Sequence, residues 1–172
     1  MTNTDALPTA QSKPMTLEDA VRAAQNMQRH GDLSAAEAVY LRILQAIPDE
    51  PNALHFLGIL RHQQGDNEGA ADLIRRAITV IPLDAGPWVN FGNVMLEMKK
   101  FDEAVDAYKQ ATVLAPDNLL VYNNLGLLQG RRNNLELAEA AYLQALRIAP
   151  DADYVLQNYA GLLQRQGRTS NI

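Results

Sequence analysis

Residues 85–118 read AGPWVNFGNVMLEMKKFDEAVDAYKQATVLAPDN, and close copies of this pattern lie on both sides. Pro116 is the landmark of the stretch: steps of 34 residues from it reach Pro82 and Pro48 in one direction and Pro150 in the other. Four of the eight prolines thus share one register. A period of roughly 20 to 50 residues marks a stacked array rather than a single wrapped core. Cutting the chain two residues after each landmark proline gives units 17–50, 51–84, 85–118 and 119–152, with a remnant from 153 onward.

Within these units the fourth place holds Ala20, Leu54, Trp88, Tyr122 and Leu156, and the seventh holds Ala23, Leu57, Phe91, Leu125 and Tyr159. The eighth is always small: Ala24, Gly58, Gly92, Gly126 and Ala160. Spacings of three and four place these residues on one face of a helix. A large side chain beside Gly or Ala lets a neighbouring helix approach closely and fills the space around the contact. Gly inside a helix costs about 1 kcal/mol relative to Ala, so close packing must offset it.

The second half of each unit repeats the logic with Ala36, Ala70, Ala104 and Ala138, followed four places later by Tyr40, Ile74, Tyr108 and Tyr142. Ala77, Ala111 and Ala145 extend the stripe, whereas the first unit has Ile43 there and is expected to pack less tightly. Between the halves stand Gly31-Asp32, Gly65-Asp66, Lys99-Lys100 and Asn133-Asn134. Gly and Asn tolerate the left-handed backbone that ends a helix, whereas Lys99 must either bear its cost or avoid it.

This pattern resembles the tetratricopeptide repeat, a family of helix-turn-helix units, over residues 17–167. The departures are Ala20, Ala23, Ile43 and the missing turn Gly in the third and fourth units. The resemblance implies an all-α, right-handed α-solenoid of four such units plus a C-terminal capping helix, 153–166. It also implies a concave surface formed by the first helix of each unit, along which ligands lie.

The chain has 172 residues, 47% hydrophobic and 20% charged, with a formal charge of −5 and no cysteine. That composition suits one soluble array and leaves little room for an added catalytic domain. Without cysteine there are no disulfides, thiolate metal ligands or cysteine nucleophiles, and a cytoplasmic location is favoured. No apolar run is long enough to cross a membrane, so no membrane insertion is expected. Residues 1–16 are polar, contain Pro8 and Pro14, and lack the features of a secretory signal; they are expected to be a disordered tail, as a short tail is expected over 168–172.

Thr16 with Asp19 predicts a helix N-cap, and Ser34 with Glu37 a capping box. Helices are predicted at 17–30, 34–47, 51–64, 68–81, 85–98, 102–115, 119–132, 136–148 and 153–166. In the last of these, polar Gln157, Gln164, Arg165 and Gln166 fit a cap. Val155, Leu162 and Leu163 instead offer apolar surface for a continuing chain or for homo-oligomer formation through the C-terminal face.

The sixth place holds Arg22, Phe56, Asn90, Asn124 and Asn158. Given the concave face that the resemblance implies, the three asparagines form a ladder down one wall. An amide offers a donor and an acceptor, which suits the backbone of an extended peptide. Asn93, Asn123 and Gln157 add polar capacity nearby. The alternative is a row of polar residues on a solvated face that bond the next helix. Arg22, Arg29, Arg131 and Arg165 are expected to project to the same side, with Glu18 and Glu97 opposing, and could receive an acidic peptide or simply solubilise the surface.

Some family members grip carboxylate tails of chaperones, but here the basic positions of that clamp hold Val89, Leu120 and Asn158, so such binding is not expected. His55 and His62, seven apart, are placed along the groove; no metal site, cofactor or catalytic group is expected. The acidic balance and the lack of a basic stripe argue against nucleic acid. The expected function is a noncatalytic scaffold holding an extended protein or peptide partner. The alternatives are the substrate-recruiting segment of a larger transferase, such as a glycosyltransferase, and a self-assembling scaffold.

Overall fold

The hydroxyl of Thr16 accepts the backbone N–H of Asp19 at 3.1 Å, and the Asp19 carboxylate accepts the N–H of Thr16 at 3.3 Å. The predicted N-cap thus forms a full capping box and starts the first helix. The computed structural model describes residues 15–168, which contain nine α-helices and no strand. They are α1 (Leu17–Arg29), α2 (Leu33–Ala46), α3 (Pro51–Gln63), α4 (Asn67–Val80), α5 (Ala85–Glu97), α6 (Phe101–Leu114), α7 (Leu119–Arg131), α8 (Leu135–Ile148) and α9 (Asp153–Arg165). Every boundary falls within one residue of its predicted position. The expected tails lie outside the described residues, apart from Met15, Thr16 and Arg168.

One predicted cap is corrected. Helix α2 begins at Leu33, and its N-cap is Asp32, whose carboxylate accepts the Ala35 N–H at 3.2 Å. An Asp two residues ahead of Ser34 takes the capping role, which leaves Ser34 inside the first turn and frees Glu37 to pair with Arg61 of α3. Asp66 caps α4 in the same way through Gly69, whereas Lys100 and Asn134 at the equivalent places make no side-chain cap.

The turns within units two to four differ in cost. Gly65 sits at φ 86°, where glycine is unstrained, but Lys99 takes φ 58° and Asn133 φ 62°. Lys99 therefore bears the left-handed conformation. That conformation costs a side-chain residue about 1–2 kcal/mol, part of which the greater unfolded-state freedom of glycine would cancel. Lys99→Gly is expected to raise stability by about 0.5–1 kcal/mol in urea unfolding. An unchanged or lower midpoint would show that the lysine side chain compensates locally.

Helices pair in chain order, α1 on α2, α3 on α4, α5 on α6 and α7 on α8, and each later pair stacks on the one before it. The small eighth place lies directly under the large residue of the second helix. A Cβ added at Gly92 would stand 2.6 Å from Tyr108 Cε1, and one at Gly126 2.6 Å from Tyr142 Cε1. The alanines of the second helices, Ala36, Ala70, Ala104 and Ala138, are fully buried. In the first unit Leu17 and Ile47 remain exposed, consistent with its looser sequence pattern.

Helix α9 turns Val155, Tyr159, Leu162 and Leu163 inward against the fourth unit, where they are buried. Val155, Leu162 and Leu163 therefore do not form the outer surface of α9, where Gln157, Gly161, Gln164 and Arg165 are exposed instead. The Tyr159 hydroxyl donates to Glu139 at 2.8 Å and Arg168 pairs with the same carboxylate at 2.7 Å. Those hydrogen bonds, from Arg168 first and then Tyr159, hold the Glu139 carboxyl below its ordinary pKa. Helix α9 is thus pinned to the fourth unit.

Candidate functional site

The first helices α1, α3, α5, α7 and α9 lie side by side, and one polar side-chain bond crosses each boundary between them. Gln28 Nε2 donates to Gln63 Oε1 at 2.8 Å, joining α1 to α3. Asn90 Nδ2 lies 2.8 Å from His55 Nε2, joining α5 to α3. Asn124 Nδ2 donates to Asn93 Oδ1 at 3.0 Å, and Asn158 Nδ2 to Asn123 Oδ1 at 2.8 Å. The three sixth-place asparagines therefore do stand in one row.

One N–H of each, however, is spent on the preceding first helix. Asn90 Nδ2 also reaches Gly86 O at 3.2 Å. Among the described residues, Oδ1 of Asn90 and of Asn158 accepts no hydrogen bond, whereas Asn124 Oδ1 meets only Asn123 Nδ2, at 3.5 Å. Asn93 Oδ1 accepts twice, from Asn124 and from the Tyr108 hydroxyl at 2.7 Å, which leaves its own N–H groups unused. Since all these asparagines except buried Asn123 are half-buried, the row presents both side-chain oxygens and unused amide N–H groups to anything that lies along it.

The two histidines separate. His55 is 8% exposed, and burial pulls its imidazole pKa down to about 4, with the Asp84 charge opposing. It is a neutral ring whose Nε2 accepts from Asn90, so Nδ1 carries the hydrogen. His62 sits by the α3–α4 turn, with Nδ1 2.6 Å from Asn67 Oδ1, and belongs to that turn rather than to the row. No group of three His, Cys, Asp or Glu among the described residues is arranged to hold a metal.

Of the arginines, Arg22 is held by Glu18 at 2.7 Å and Arg29 by the Asn26 amide. Arg131 and Arg165 are exposed and make no ion pair among the described residues. Arg165 reaches back across α7, where a Cβ on Gly130 would lie 3.6 Å from its Nη1. Gln157 is exposed, and no side-chain bond is made by it among the described residues.

Sequence reasoning passed over Gln28 and Gln63. Their separation of 35 is also that of Asn90 from His55 and of Asn158 from Asn123, and that shared offset was the available signal. Between α1 and α3 the face dips into two adjoining pockets of about 320 Å³ each, lined by residues such as Arg22, Gln25, Phe56 and Ile59. The arrangement offers shape, acceptors and a few positive charges.

Comparison with known proteins agrees with this architecture. Two family models described as tetratricopeptide repeat match residues 21–87 and 119–152, and one described as TPR repeat matches residues 92–131. No curated protein matches the chain. Among solved structures, PilF of Pseudomonas aeruginosa is 20% identical with a TM-score of 0.81, covering 87% of this chain and 68% of that one. MamA of Desulfovibrio magneticus RS-1 is 20% identical with a TM-score of 0.78, covering 89% and 88%. A thermophilic TPR protein of Thermus thermophilus is 20% identical with a TM-score of 0.74, covering 88% and 83%. Such identities show the fold alone, an all-α, right-handed solenoid. One matched segment, 119–152, coincides with the fourth unit marked off by the prolines, and the three together run through all four units; the chain belongs to the tetratricopeptide repeat family.

Proposed function

We propose that this protein is a noncatalytic, cytoplasmic interaction scaffold that holds an extended segment of a protein partner along the face formed by its first helices. The fold supports a protein-binding role in general. The finer reading rests on one observation: the cross-helix bonds fix Asn90, Asn124 and Asn158 in a row and leave the side-chain oxygens of Asn90 and Asn158 without partners among the described residues.

Neighbouring helices pack about 8–10 Å apart and an extended chain advances about 3.3 Å per residue, so successive asparagines match every third peptide residue. Amides at that interval suit the N–H and C=O groups of a peptide backbone. Affinity drawn from the backbone brings little sequence preference of its own. Repeated amides in register raise this above scattered surface polarity, because each is held in place before binding and loses little freedom on contact.

The test is quantitative capture of partners from a native lysate by the wild type, by Asn90→Ala/Asn124→Ala/Asn158→Ala, and by a control with exposed Val113 and Leu143 changed to serine. The triple variant also loses three cross-helix bonds, worth about 0.5–1.5 kcal/mol each, and two longer local ones, so capture is done well below its melting temperature. Partners retained by the control and lost by the triple variant are the expected result. An identical partner set on all three proteins would remove the row from any role in binding.

A further inference from the structure

We infer that the pocket between α1 and α3 seats one bulky apolar side chain of the bound segment, beside an acidic residue of the same segment. The inference rests on the groove reading above and adds the chemistry that would give the partner its identity.

The pocket, of about 320 Å³, is lined by Gln25, Gln28, Arg29, Phe56, Ile59 and Gln63. Its size lies within the range of small-ligand pockets. Phe56 occupies the sixth place, where the three later first helices have asparagine, so the row changes from amide to aromatic at this point. Phe56 and Ile59 are half-buried and form an apolar floor that stays partly open.

That floor is held rigidly. The Phe56 ring stacks on Tyr40, with centroids 6.5 Å apart and planes at 19°, and its centroid lies 5.0 Å from that of the His55 ring. The walls are tied as well: the Tyr40 hydroxyl donates to Gln28 Oε1 at 3.2 Å, and Gln28 Nε2 donates to Gln63 Oε1 at 2.8 Å. A preformed apolar floor with fixed polar walls binds a side chain at little entropic cost.

Charge selects the neighbour of that side chain. The protein carries a formal charge of −5, yet no carboxylate lines this pocket, and Arg29 is its one charged residue among those described. Arg29 is exposed and bonded only to the neutral Asn26 amide among the described residues, so its charge is not neutralised there. A carboxylate of the bound segment would find a charge-assisted donor at the rim, whereas a lysine would meet repulsion. The free N–H groups of Gln63 can meet the segment's backbone carbonyls.

A random peptide library displayed on phage is selected against the immobilised full chain, and an enriched peptide is then titrated by fluorescence anisotropy. Enriched peptides are expected to share a large apolar residue with Asp or Glu within two positions of it. Changing that apolar residue to alanine should weaken binding about tenfold or more, as should Phe56→Ala or Gln25→Trp, since each removes the burial of one large apolar side chain. Arg29→Glu should weaken it about fivefold, with the difference shrinking at high salt. Gln25→Trp fills the pocket from its half-buried wall and leaves the core untouched, so it separates pocket loss from unfolding.

If the enriched peptides bind the Phe56 and Gln25 variants as tightly as the wild type but fail on the triple asparagine variant, the pocket inference falls and the groove stands. Binding that survives all these changes, or a selection that enriches nothing, overturns both. Basic residues beside the apolar anchor would overturn the charge assignment.

Discussion

Gly92→Val is expected to lower the stability of the array by about 3 kcal/mol or more, read as a fall in the urea midpoint by circular dichroism. Even the first added carbon has no room, since it would stand 2.6 Å from Cε1, 2.7 Å from Cδ1 and 3.0 Å from Cζ of Tyr108. That ring is fully buried, and its hydroxyl is anchored on Asn93. It cannot swing aside without breaking that bond and opening the core. The alternative is to move α5 away from α6, which disturbs the stacking on both neighbouring units because stability in such an array passes through nearest-neighbour contacts.

Helix propensity works in the opposite direction and loses. Alanine is about 1 kcal/mol better than glycine in a helix, and Gly161 of α9, where an added carbon would meet nothing within 4 Å, shows that term alone. Gly161→Ala is accordingly expected to stabilise the protein by up to about 1 kcal/mol. The first unit carries Ala24 in the same register and buries it fully alongside Tyr40, so clearance is set by the spacing of each helix pair. A Gly92→Val protein with a wild-type midpoint would mean that the close contact does not govern the packing of the third unit.

Acid should weaken the protein as the pH falls below about 6.5, and His55 is the cause. Burial holds the imidazole of the folded protein at a pKa of about 4, against about 6.5 for an unperturbed histidine. The folded value lies below the unfolded one, so the unfolded chain binds the extra proton first as the pH falls. The contribution is therefore complete above pH 6.5 and is lost between there and pH 4, amounting to about 3 kcal/mol. Protonation would also set a donor against the Asn90 amide, which now donates to the same nitrogen. His55→Gln keeps an acceptor for Asn90 and removes the titration, and its stability should be nearly level over that window while that of the wild type declines. Equal pH slopes for the two proteins would rule His55 out.

Much of the fold was legible because packing constraints repeat with the chain. The landmark prolines, the small eighth place and the buried alanines of the second helices each state the same contact several times, so helix ends could be placed to within a residue. Local competition was harder to read. Ser34 and Glu37 have capping-box spacing, yet Asp32 supplies a carboxylate in a better position and the box does not form. At the C-terminus, Val155, Leu162 and Leu163 are apolar at a spacing that fits either direction, and only the placement of α9 on α8 shows that they face inward.

The row of asparagines was half legible. A common place in successive units puts Asn90, Asn124 and Asn158 in line, but their partners differ: Asn90 bonds the residue 35 before it, Asn124 the residue 31 before it and Asn158 again the residue 35 before it. Which neighbour a short amide reaches depends on the shift between adjacent helices, a quantity with no local sequence signature. The pocket by Phe56 escaped notice for a related reason, because its walls come from glutamines that gain meaning only when α1 and α3 are side by side.

The lone tryptophan sits at the seam between the second and third units, with the Trp88 indole N–H donating at 3.0 Å to the carbonyl of Pro82, the landmark proline of the second unit. An intrinsic fluorophore thereby stands at the middle joint of the rod. Its emission wavelength should shift when that joint flexes or parts, so bending of the superhelix on partner capture can be followed optically, without attaching a dye.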